Sequence, residues 1–257
     1  MYVDFSALFH ASSKDLNDKG RVYIPQDASA WPDEWKTTYY KSYARSPKIQ
    51  LEKPRALGMT LDDILKKRIS TRSFAGTPVD LKALSGLLFH SCGISNGENH
   101  EWGRMYPSGG ARFPIEIYPI VFVGGKDIPA GLYHYNVKEH ALDVLWKRAF
   151  SKKEIDEMFV YPWVEHASFA IIMTAVFGRN QMKYGERGYR YVLLEAGHMS
   201  ENVYLAATAL GVGCCAMGGT QDKQIERLLD IDGITESVIH SLVLGEVGSA
   251  KRAIIPA

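Results

Sequence analysis

Two arginines and a serine are spaced two residues apart in the first half of the chain. They are Arg68, Ser70 and Arg72, and they follow a segment that is expected to be helical. A guanidinium offers planar, multidentate donors and a hydroxyl offers a shorter one, so this spacing suits a phosphate or a polyol. The alternative is a solvated basic helix end that is stabilised by the helix dipole.

A loop of small residues follows. Pro107, Ser108 and Gly109 are succeeded by Gly110 and Ala111. Small residues let a ligand approach the backbone, whose N–H groups can bind an aromatic heterocycle or an anion. A plain turn is equally consistent with this composition.

A lysine and a tyrosine adjoin each other just before the longest helical pattern. A lysine in a dry site can have its pKa lowered enough to act as a base near neutrality, and Lys183 is the candidate. The neighbouring Tyr184 could hydrogen-bond to a substrate or tune the amine. The alternative is an exposed loop pair among the charged residues Arg179, Glu186 and Arg187.

The segment from Gly211 to Ala216 has the spacing of a dinucleotide-binding fingerprint, Gly-x-Gly-x-x-Ala. That fingerprint must follow a strand and open a helix, whereas this segment follows a predicted helix. We interpret Gly211 as a helix C-cap that leads into a strand. Gly218 and Gly219 then end the strand with another stretch of bare backbone.

These residues must be positioned by a long helix predicted from about Tyr189 to Leu210, whose apolar residues recur at spacings of three and four. Its other faces are apolar too, which fits a helix at a subunit interface or in the centre of a monomer. Glu195, His198 and Asn202 form a polar stripe on it. A ligand or other protein groups must satisfy that stripe.

Shorter elements interleave around this helix. Thr60, Asp80 and Ser151 are N-cap residue types ahead of three predicted helices. Buried strands are predicted at 116–123, 168–177 and 237–244, with a hairpin at 131–135 and 141–146. The alternation of helices and strands indicates an α+β or α/β class.

The first part of the chain differs in composition from the rest. Residues 1–58 carry Trp31 and Trp35 among several tyrosines and prolines, which predicts an N-terminal extended arm around a body at 59–257. A partly ordered tail is the alternative, although such tails are usually poor in aromatic residues.

Bulk composition excludes several function classes. The 257 residues are 46% hydrophobic and 23% charged with a net charge of +1, which gives no electrostatic case for nucleic acid or membrane binding. No long apolar run or signal peptide is indicated. Cys92, Cys214 and Cys215 form no disulfide or zinc pattern, so a cytoplasmic protein without a metal site is expected. His134 and His140 flank the hairpin turn and are expected at the surface.

Taken in order, these motifs resemble those of the nitroreductase-like FMN flavoproteins, and more narrowly those of the SagB-type thiazole- and oxazole-forming dehydrogenases. Each motif alone has low specificity, but the ordered set extends over nearly the whole chain. The matching segments are Arg68 to Arg72, Pro107 to Gly110, Gly131 to Tyr135, Lys183 with Tyr184, Leu194 to His198, and Gly218 with Gly219.

The resemblance implies an α+β nitroreductase fold, with a mostly antiparallel central sheet flanked by helices, in an intertwined homodimer. FMN would lie at the dimer interface. Arg68, Ser70 and Arg72 would hold its phosphate, its ribityl chain and the polar edge of the flavin. Lys251 or Arg252 would add charge at the phosphate.

The same resemblance assigns the remaining site residues. Pro107, Ser108 and Gly109 would come from the partner subunit toward the flavin ring. Gly218 and Gly219 would approach the ring near its reactive nitrogen.

In the reaction that the resemblance implies, Lys183 would take a ring proton while a hydride passes to FMN, and Tyr184 would assist the proton transfer. Glu195 is expected to belong to the cofactor-binding set. The substrate would be a thiazoline or oxazoline on a peptide or carrier. No additional leader-binding domain is evident, so a cyclodehydratase or peptide synthetase could be the partner.

Two other functions stay open at this point. One is an NAD(P)H-dependent nitro- or quinone reductase on the same fold. The other is a non-enzymatic scaffold subunit of a synthetase complex, which binds flavin weakly or not at all.

Overall fold

A single antiparallel sheet organises the protein. The computed structural model describes residues 4–14, 24–54, 56–95 and 103–249. The strands in these ranges are β1 (Lys48–Gln50), β2 (Ile115–Val121), β3 (Gly131–Asn136), β4 (Ala141–Lys147), β5 (Phe169–Val176), β6 (Gly213–Ala216) and β7 (Glu236–Gly245). Their order across the sheet is β1-β4-β3-β2-β5-β7-β6, and every neighbouring pair is antiparallel. The expected α+β class and antiparallel sheet are confirmed.

Eight α-helices lie in the described ranges, and four of them begin at a side-chain N-cap. They are α1 (Phe5–Ser12), α2 (Asp33–Lys36), α3 (Leu61–Lys67), α4 (Leu81–Cys92), α5 (Lys152–Met158), α6 (Gly178–Tyr184), α7 (Glu186–Leu210) and α8 (Asp222–Leu229). Thr60 and Asp80 cap α3 and α4, while Ser151 and Glu154 form a capping box on α5. Across the described ranges, no helix is both long and apolar enough to cross a membrane.

Alternate residues of β2 face two separate hydrophobic cores. Ile115 and Ile117 belong to the core that includes α4 and α7. Tyr118 and Ile120 belong to the core that includes α5 and α8. This follows from the period of two in a strand, because successive side chains point to opposite faces. Helices therefore cover both faces of the sheet.

The long helix α7 lies on one face of the sheet and leaves part of its own surface open. Val192 and Met199 are fully buried, whereas Leu193 and Leu194 are 41% and 54% exposed in the isolated chain. Gly211 ends the helix in a left-handed conformation, with φ +71°, as its sequence context predicted. The sequence predicted a helix that is apolar on nearly all sides, and the rest of the chain covers only part of that apolar surface.

A glycine separates α6 from α7. The sequence predicted Lys183 and Tyr184 just before the long helix, with an exposed loop pair as the alternative, and in the structure they form the last turn of α6. Gly185 has φ +53° and ψ −140°, a conformation that is essentially confined to glycine. The break lets two helices meet at an angle that one continuous helix could not give.

The described residues before position 59 contact the body at several points. β1 adds an edge strand beside β4. α1 lies against the start of α7, where Phe9 packs edge-on to Tyr189 at 5.3 Å and Arg190 donates to Ser13 Oγ at 2.6 Å. The division into an arm at 1–58 and a body at 59–257 stays a prediction. An edge strand of the sheet, β1, lies within the predicted arm.

Candidate functional site

Lys183 is one of the most deeply buried charged side chains of the described chain. It is 1% exposed, and its Nζ lies 3.3 Å from the centroid of the Trp31 ring. Burial lowers the pKa of Lys183, and the nearby positive charge of Arg112 lowers it further. The amine is therefore closer to its neutral, basic form than an exposed lysine.

Tyr184 presents its hydroxyl beside this amine. Burial raises the pKa of Tyr184 and Tyr191 adds to the effect, while Arg112 opposes it. The phenol therefore keeps its proton at neutral pH and can donate a hydrogen bond. Its ring meets Tyr191 edge-on at 5.1 Å.

The small-residue loop packs directly on the lysine and tyrosine of the same chain. Gly110 has φ +65°, which favours glycine. A Cβ there would overlap the Tyr184 hydroxyl and lie 3.3 Å from Lys183 Nζ. A Cβ on Gly109 would contact the Tyr191 ring at 3.4 Å. The structure therefore brings two motifs of distant sequence together, and glycine is needed for their close approach.

Ser108 connects this loop to the long helix. Its Oγ donates to Glu195 Oε2 at 2.6 Å and accepts from the Phe113 amide at 2.9 Å. Glu195 is 1% exposed, and among the described residues its Oε1 has no hydrogen-bond partner. Burial raises the pKa of Glu195 to about 8, although the Ser108 hydrogen bond opposes this. The carboxyl is thus protonated at neutral pH.

The rest of the polar stripe on α7 is satisfied differently. Asn202 donates to the carbonyls of Met105 at 2.7 Å and Ser91 at 3.3 Å. His198 is exposed in the isolated chain. Protein groups therefore account for Asn202, and for one oxygen of Glu195, without a ligand.

The arginine–serine motif lies at the opposite end of α7. Arg68 is half-buried, with its guanidinium 5.4 Å from the Tyr204 ring centroid, and Ser70 Oγ lies 3.0 Å from the Tyr204 hydroxyl. Thr71 N donates to the Cys214 carbonyl at 2.8 Å, which fixes the segment along β6. Arg72 is exposed. The ion pairs between described residues include neither arginine.

The two glycines after β6 differ in their surroundings. A Cβ on Gly218 would meet no atom within 4 Å. A Cβ on Gly219 would overlap the side chains of Val160 and Tyr161. Gly219 is therefore required by packing within the chain, whereas Gly218 leaves open space. Lys251 and Arg252 lie outside the described residues.

Two clusters result, at the two ends of one helix. Gly109 contacts Tyr191 near the start of α7, and Ser70 contacts Tyr204 near its end. Thirteen residues at the rise of an α-helix separate these contacts by roughly 20 Å. Pro107 directly precedes Ser108 in the loop of the first cluster. A single chain thus does not gather the predicted residues into one compact group.

One buried group was placed wrongly by the sequence. His134 is fully buried rather than at the surface, with Nε2 2.9 Å from Glu116 Oε2 and Nδ1 3.2 Å from Asp143 Oδ2. Burial alone would lower the pKa of His134, but the hydrogen bonds with Asp143 and Glu116 raise it. Arg179 then pairs with Glu116 at 2.6 Å. This charged network joins the sheet to α6 one turn before Lys183.

The error has an identifiable cause. In β3, His134 points to the opposite face of the sheet from Tyr133 and Tyr135. On that face it lies opposite Asp143 of β4. The register of two strands decides this, and the sequence does not state a register. Over the described residues, no cluster of three or more His, Cys, Asp or Glu side chains could hold a metal.

Comparison with known proteins gives the family. Residues 65–246 match the model of the Nitroreductase family. A protein of Methanocaldococcus jannaschii that is named as a nitroreductase is 33% identical over 189 residues, covering 71% of this chain and 90% of that protein.

Two further relatives have names that refer to peptide processing. The trifolitoxin-processing protein TfxB of Rhizobium leguminosarum bv. trifolii is 37% identical over 145 residues, and the microcin B17-processing protein McbC of Escherichia coli is 27% identical over 158 residues. These matches cover 55% and 58% of this chain, and only 39% of TfxB and 56% of McbC.

Solved structures share the architecture. A nitroreductase-type protein of Ralstonia eutropha has a TM-score of 0.66 at 28% identity, covering 83% of this chain and 96% of that one. A chain of the E. coli microcin synthetase McbBCD complex with truncated pro-MccB17 has a TM-score of 0.62 at 18% identity, covering 95% and 92%. At that identity the second likeness shows the fold alone. From the family match over most of its length and the relative in M. jannaschii, the chain belongs to the nitroreductase family of oxidoreductases.

Proposed function

We propose that this protein is an FMN-dependent dehydrogenase that oxidises thiazoline or oxazoline rings to thiazoles or oxazoles on a peptide or carrier-bound substrate. The observation that carries the proposal is the buried Lys183 amine, set beside the Tyr184 hydroxyl and the bare backbone of Gly110. The peptide-processing names of TfxB and McbC support the substrate class. We place this reaction in the cytoplasm.

The arginine–serine cluster fits the polar part of FMN. Arg68 and Arg72 have no ion-pair partner among the described residues, and Ser70 adds an exposed hydroxyl. Such donors suit a phosphate and a polyol chain. No atom lies within 4 Å of a Cβ built on Gly218, which leaves room for a planar group to approach that backbone. Lys251 and Arg252 remain candidates for the phosphate from the sequence alone.

The lysine cluster fits the reacting side of the cofactor. Pro107, Ser108 and Gly109 lead into the backbone at Gly110 that lies against Tyr184. Glu195 of α7 holds this loop in place by accepting a hydrogen bond from Ser108. We infer that these residues border the flavin ring, with Gly219 holding the opposite loop in shape by packing on its neighbours.

A homodimer would unite the two clusters in one site. They lie roughly 20 Å apart along α7 in one chain, and the helix between them exposes Leu193 and Leu194. Antiparallel packing of α7 on its copy would bring the start of one helix near the end of the other. Each site would then take its arginines from one protomer and its lysine from the partner.

The protein's own groups would divide the proton work. FMN, when bound, supplies the acceptor for a hydride. Lys183 would take a proton from the azoline ring, because burial favours its neutral form. Tyr184 would stay protonated and orient the substrate by donating a hydrogen bond. The ring loses one proton and one hydride, which makes it aromatic, and dioxygen is the proposed final oxidant.

The partner would deliver the azoline. The chain shares its fold with a component of the McbBCD synthetase complex. We propose that a cyclodehydratase or a peptide synthetase plays the corresponding part here, because cyclisation must precede oxidation of the ring.

The test is turnover of a thiazoline peptide by flavin-loaded protein, followed by mass spectrometry for loss of two hydrogen atoms per ring. We expect Lys183→Ala to abolish this loss while keeping bound flavin in the visible spectrum. Lys153→Ala, at an exposed lysine of α5, is the control and should turn over normally. Unchanged oxidation by a flavin-loaded Lys183→Ala variant would sink the proposal.

A nitro- or quinone reductase is the second candidate function. It is favoured by the M. jannaschii relative, which is matched over 90% of its length and is named as a nitroreductase. Anaerobic mixing with NADH or NADPH separates the two functions. Rapid bleaching of the flavin, without oxidation of azolines, would establish the reductase. A colourless protein that rejects added FMN would instead indicate a scaffold subunit.

A further inference from the structure

The surroundings of the Lys183 amine contain an aromatic cover that its proposed role does not explain. Nζ lies 3.3 Å from the Trp31 ring centroid, 5.5 Å from that of Tyr184 and 5.7 Å from that of Trp35. An ammonium over the face of an indole is attracted by the ring quadrupole. The amine of the proposed base therefore faces an aromatic ring of its own chain.

The Trp31 ring is held in this position by its own contacts. Its Nε1 donates to the Pro25 carbonyl at 2.7 Å, and its ring packs edge-to-face with Trp35, with centroids 6.5 Å apart and an interplanar angle of 64°. Indole groups that are anchored through N–H and packed on a second ring lose little further freedom. The position of the Trp31 ring over the Lys183 amine is therefore fixed by contacts within residues 25–35.

Arg112 ties the same segment to the body. Its guanidinium is 1% exposed and donates to the carbonyls of Trp35 at 2.5 Å, Glu34 at 2.7 Å and Arg179 at 3.1 Å. One side chain thereby joins residues 31–35, here called the tryptophan turn, to α6. The last turn of α6 carries Lys183. Three charge-assisted hydrogen bonds make this a strong attachment.

The groups facing Lys183 act on its ionisation in opposite directions. Burial and the charge of Arg112 lower the pKa of the amine. The Tyr184 ring lies 5.5 Å from the amine, and Arg112 in turn contacts the Tyr39 ring and the Arg179 carbonyl. The Trp31 face attracts the amine only when the amine is protonated, because the attraction depends on the positive charge. This contact therefore favours the charged form.

We propose that Trp31 is a positioning residue that holds Lys183 as a covered ammonium in the resting protein, and that a planar heterocyclic substrate replaces the indole when it binds. The proposal rests on the role given to Lys183 under the proposed function. The space taken by the indole lies between the Lys183 amine and the Trp35 ring, so it suits a flat ring of similar thickness. Removing the ring face also removes the group that favours the charged amine. The ammonium then releases its proton to solvent, and the neutral Lys183 amine can accept the proton of the substrate ring.

Competitive labelling with acetic anhydride tests this without any substrate. Only the neutral amine reacts, so the labelling of the Lys183 peptide as a function of pH, read by mass spectrometry, reports its ionisation. The exposed Lys153 in the same digest is the internal reference. In Trp31→Leu we expect the labelling midpoint to move to lower pH and the relative reactivity at neutral pH to rise about fivefold or more. Trp31→Phe, which keeps a ring face, should behave like the original protein or fall between the two.

The outcomes are distinct from those for the proposed function. A Lys183 midpoint that is unchanged, or moves to higher pH, in a folded Trp31→Leu protein would overturn the role of Trp31. A shift in Trp31→Phe as large as that in Trp31→Leu would overturn it as well. The labelling does not require azoline oxidation. A protein that failed to oxidise azolines could still show the shift in the labelling midpoint, and a protein that oxidised azolines could lack it.

Discussion

At the scale of single residues, the most unusual group is a carboxylic acid enclosed by the fold. Glu195 is 1% exposed, and one of its oxygens has no partner among the described residues. Its other oxygen accepts from Ser108, which holds the loop that reaches Lys183 and Tyr184. A buried acid with a raised pKa is a common feature of functional sites.

Glu195 should make the protein less stable as the pH rises. Burial raises the pKa of Glu195 from 4.5 to about 8. Between these values the folded protein keeps a proton that the unfolded chain has lost, so the unfolding free energy falls with increasing pH. Glu195→Gln cannot ionise and keeps an acceptor for Ser108. We expect it to be more stable than the original protein at pH 8 by roughly 1 to 4 kcal/mol, with little difference below pH 4.5.

Urea unfolding at pH 4.5, 6.5 and 8 measures this difference. Glu157→Gln, on the exposed side of α5, is the matched control and should leave the pH dependence of stability unchanged. A Glu195→Gln variant whose stability falls with pH as steeply as that of the original protein would show that Glu195 is ionised throughout.

At the scale of elements, the junction of two helices sets the direction of the lysine. α6 ends in Lys183 and Tyr184, and Gly185 turns the chain into α7 with φ +53°. A Cβ on Gly188 would lie 3.0 Å from the carbonyl of Asn180, so the two helices cross closely just after the turn. The loop at Gly110 and the tryptophan turn both pack against this junction.

Gly185→Ala should therefore damage both folding and the site. The conformation of Gly185 is costly for any residue with a Cβ, and we expect a loss of roughly 1 to 3 kcal/mol in unfolding free energy. Rotation of α6 to relieve the strain would also move Lys183 from Trp31, which tryptophan fluorescence can report. Gly178→Ala, at the first residue of the same helix with no atom within 4 Å of the added Cβ, should be neutral or stabilising. Equal effects of the two substitutions would contradict this account.

At the scale of the whole molecule, the proposed homodimer would explain the arrangement along α7. The arginines lie near one end of the helix and the lysine near the other, and the apolar residues between them are open in the single chain. A symmetric pair can bring unlike ends together twice, giving two identical sites.

Mixing two inactive variants can test this shared site. One carries Lys183→Ala and the other carries Arg68→Ala with Arg72→Ala. If each site takes its lysine and its arginines from different protomers, a mixed dimer contains one intact site. Half of randomly reassociated dimers are mixed, so activity should recover to about a quarter of the original. No recovery, despite subunit exchange verified by native mass spectrometry, would place each site within one chain.

The sequence by itself determined the parts that depend on local chemistry. Thr60, Asp80 and Ser151 cap helices because a short polar side chain can satisfy free amides at a helix start, whatever the rest of the fold does. Gly211 ends α7 because it can adopt a left-handed conformation. The order of the motifs also sufficed to predict the family and its antiparallel sheet.

The tertiary structure alone decided the parts that depend on packing between distant segments. His134 is buried because strand register aligns it with Glu116 and Asp143, and that alignment is set by the whole sheet. The meeting of Gly110 with Lys183, and the cover of Trp31 over the same amine, join residues far apart in the chain. Local spacing carries no information on such contacts, since they arise from the burial of apolar faces that many segments share.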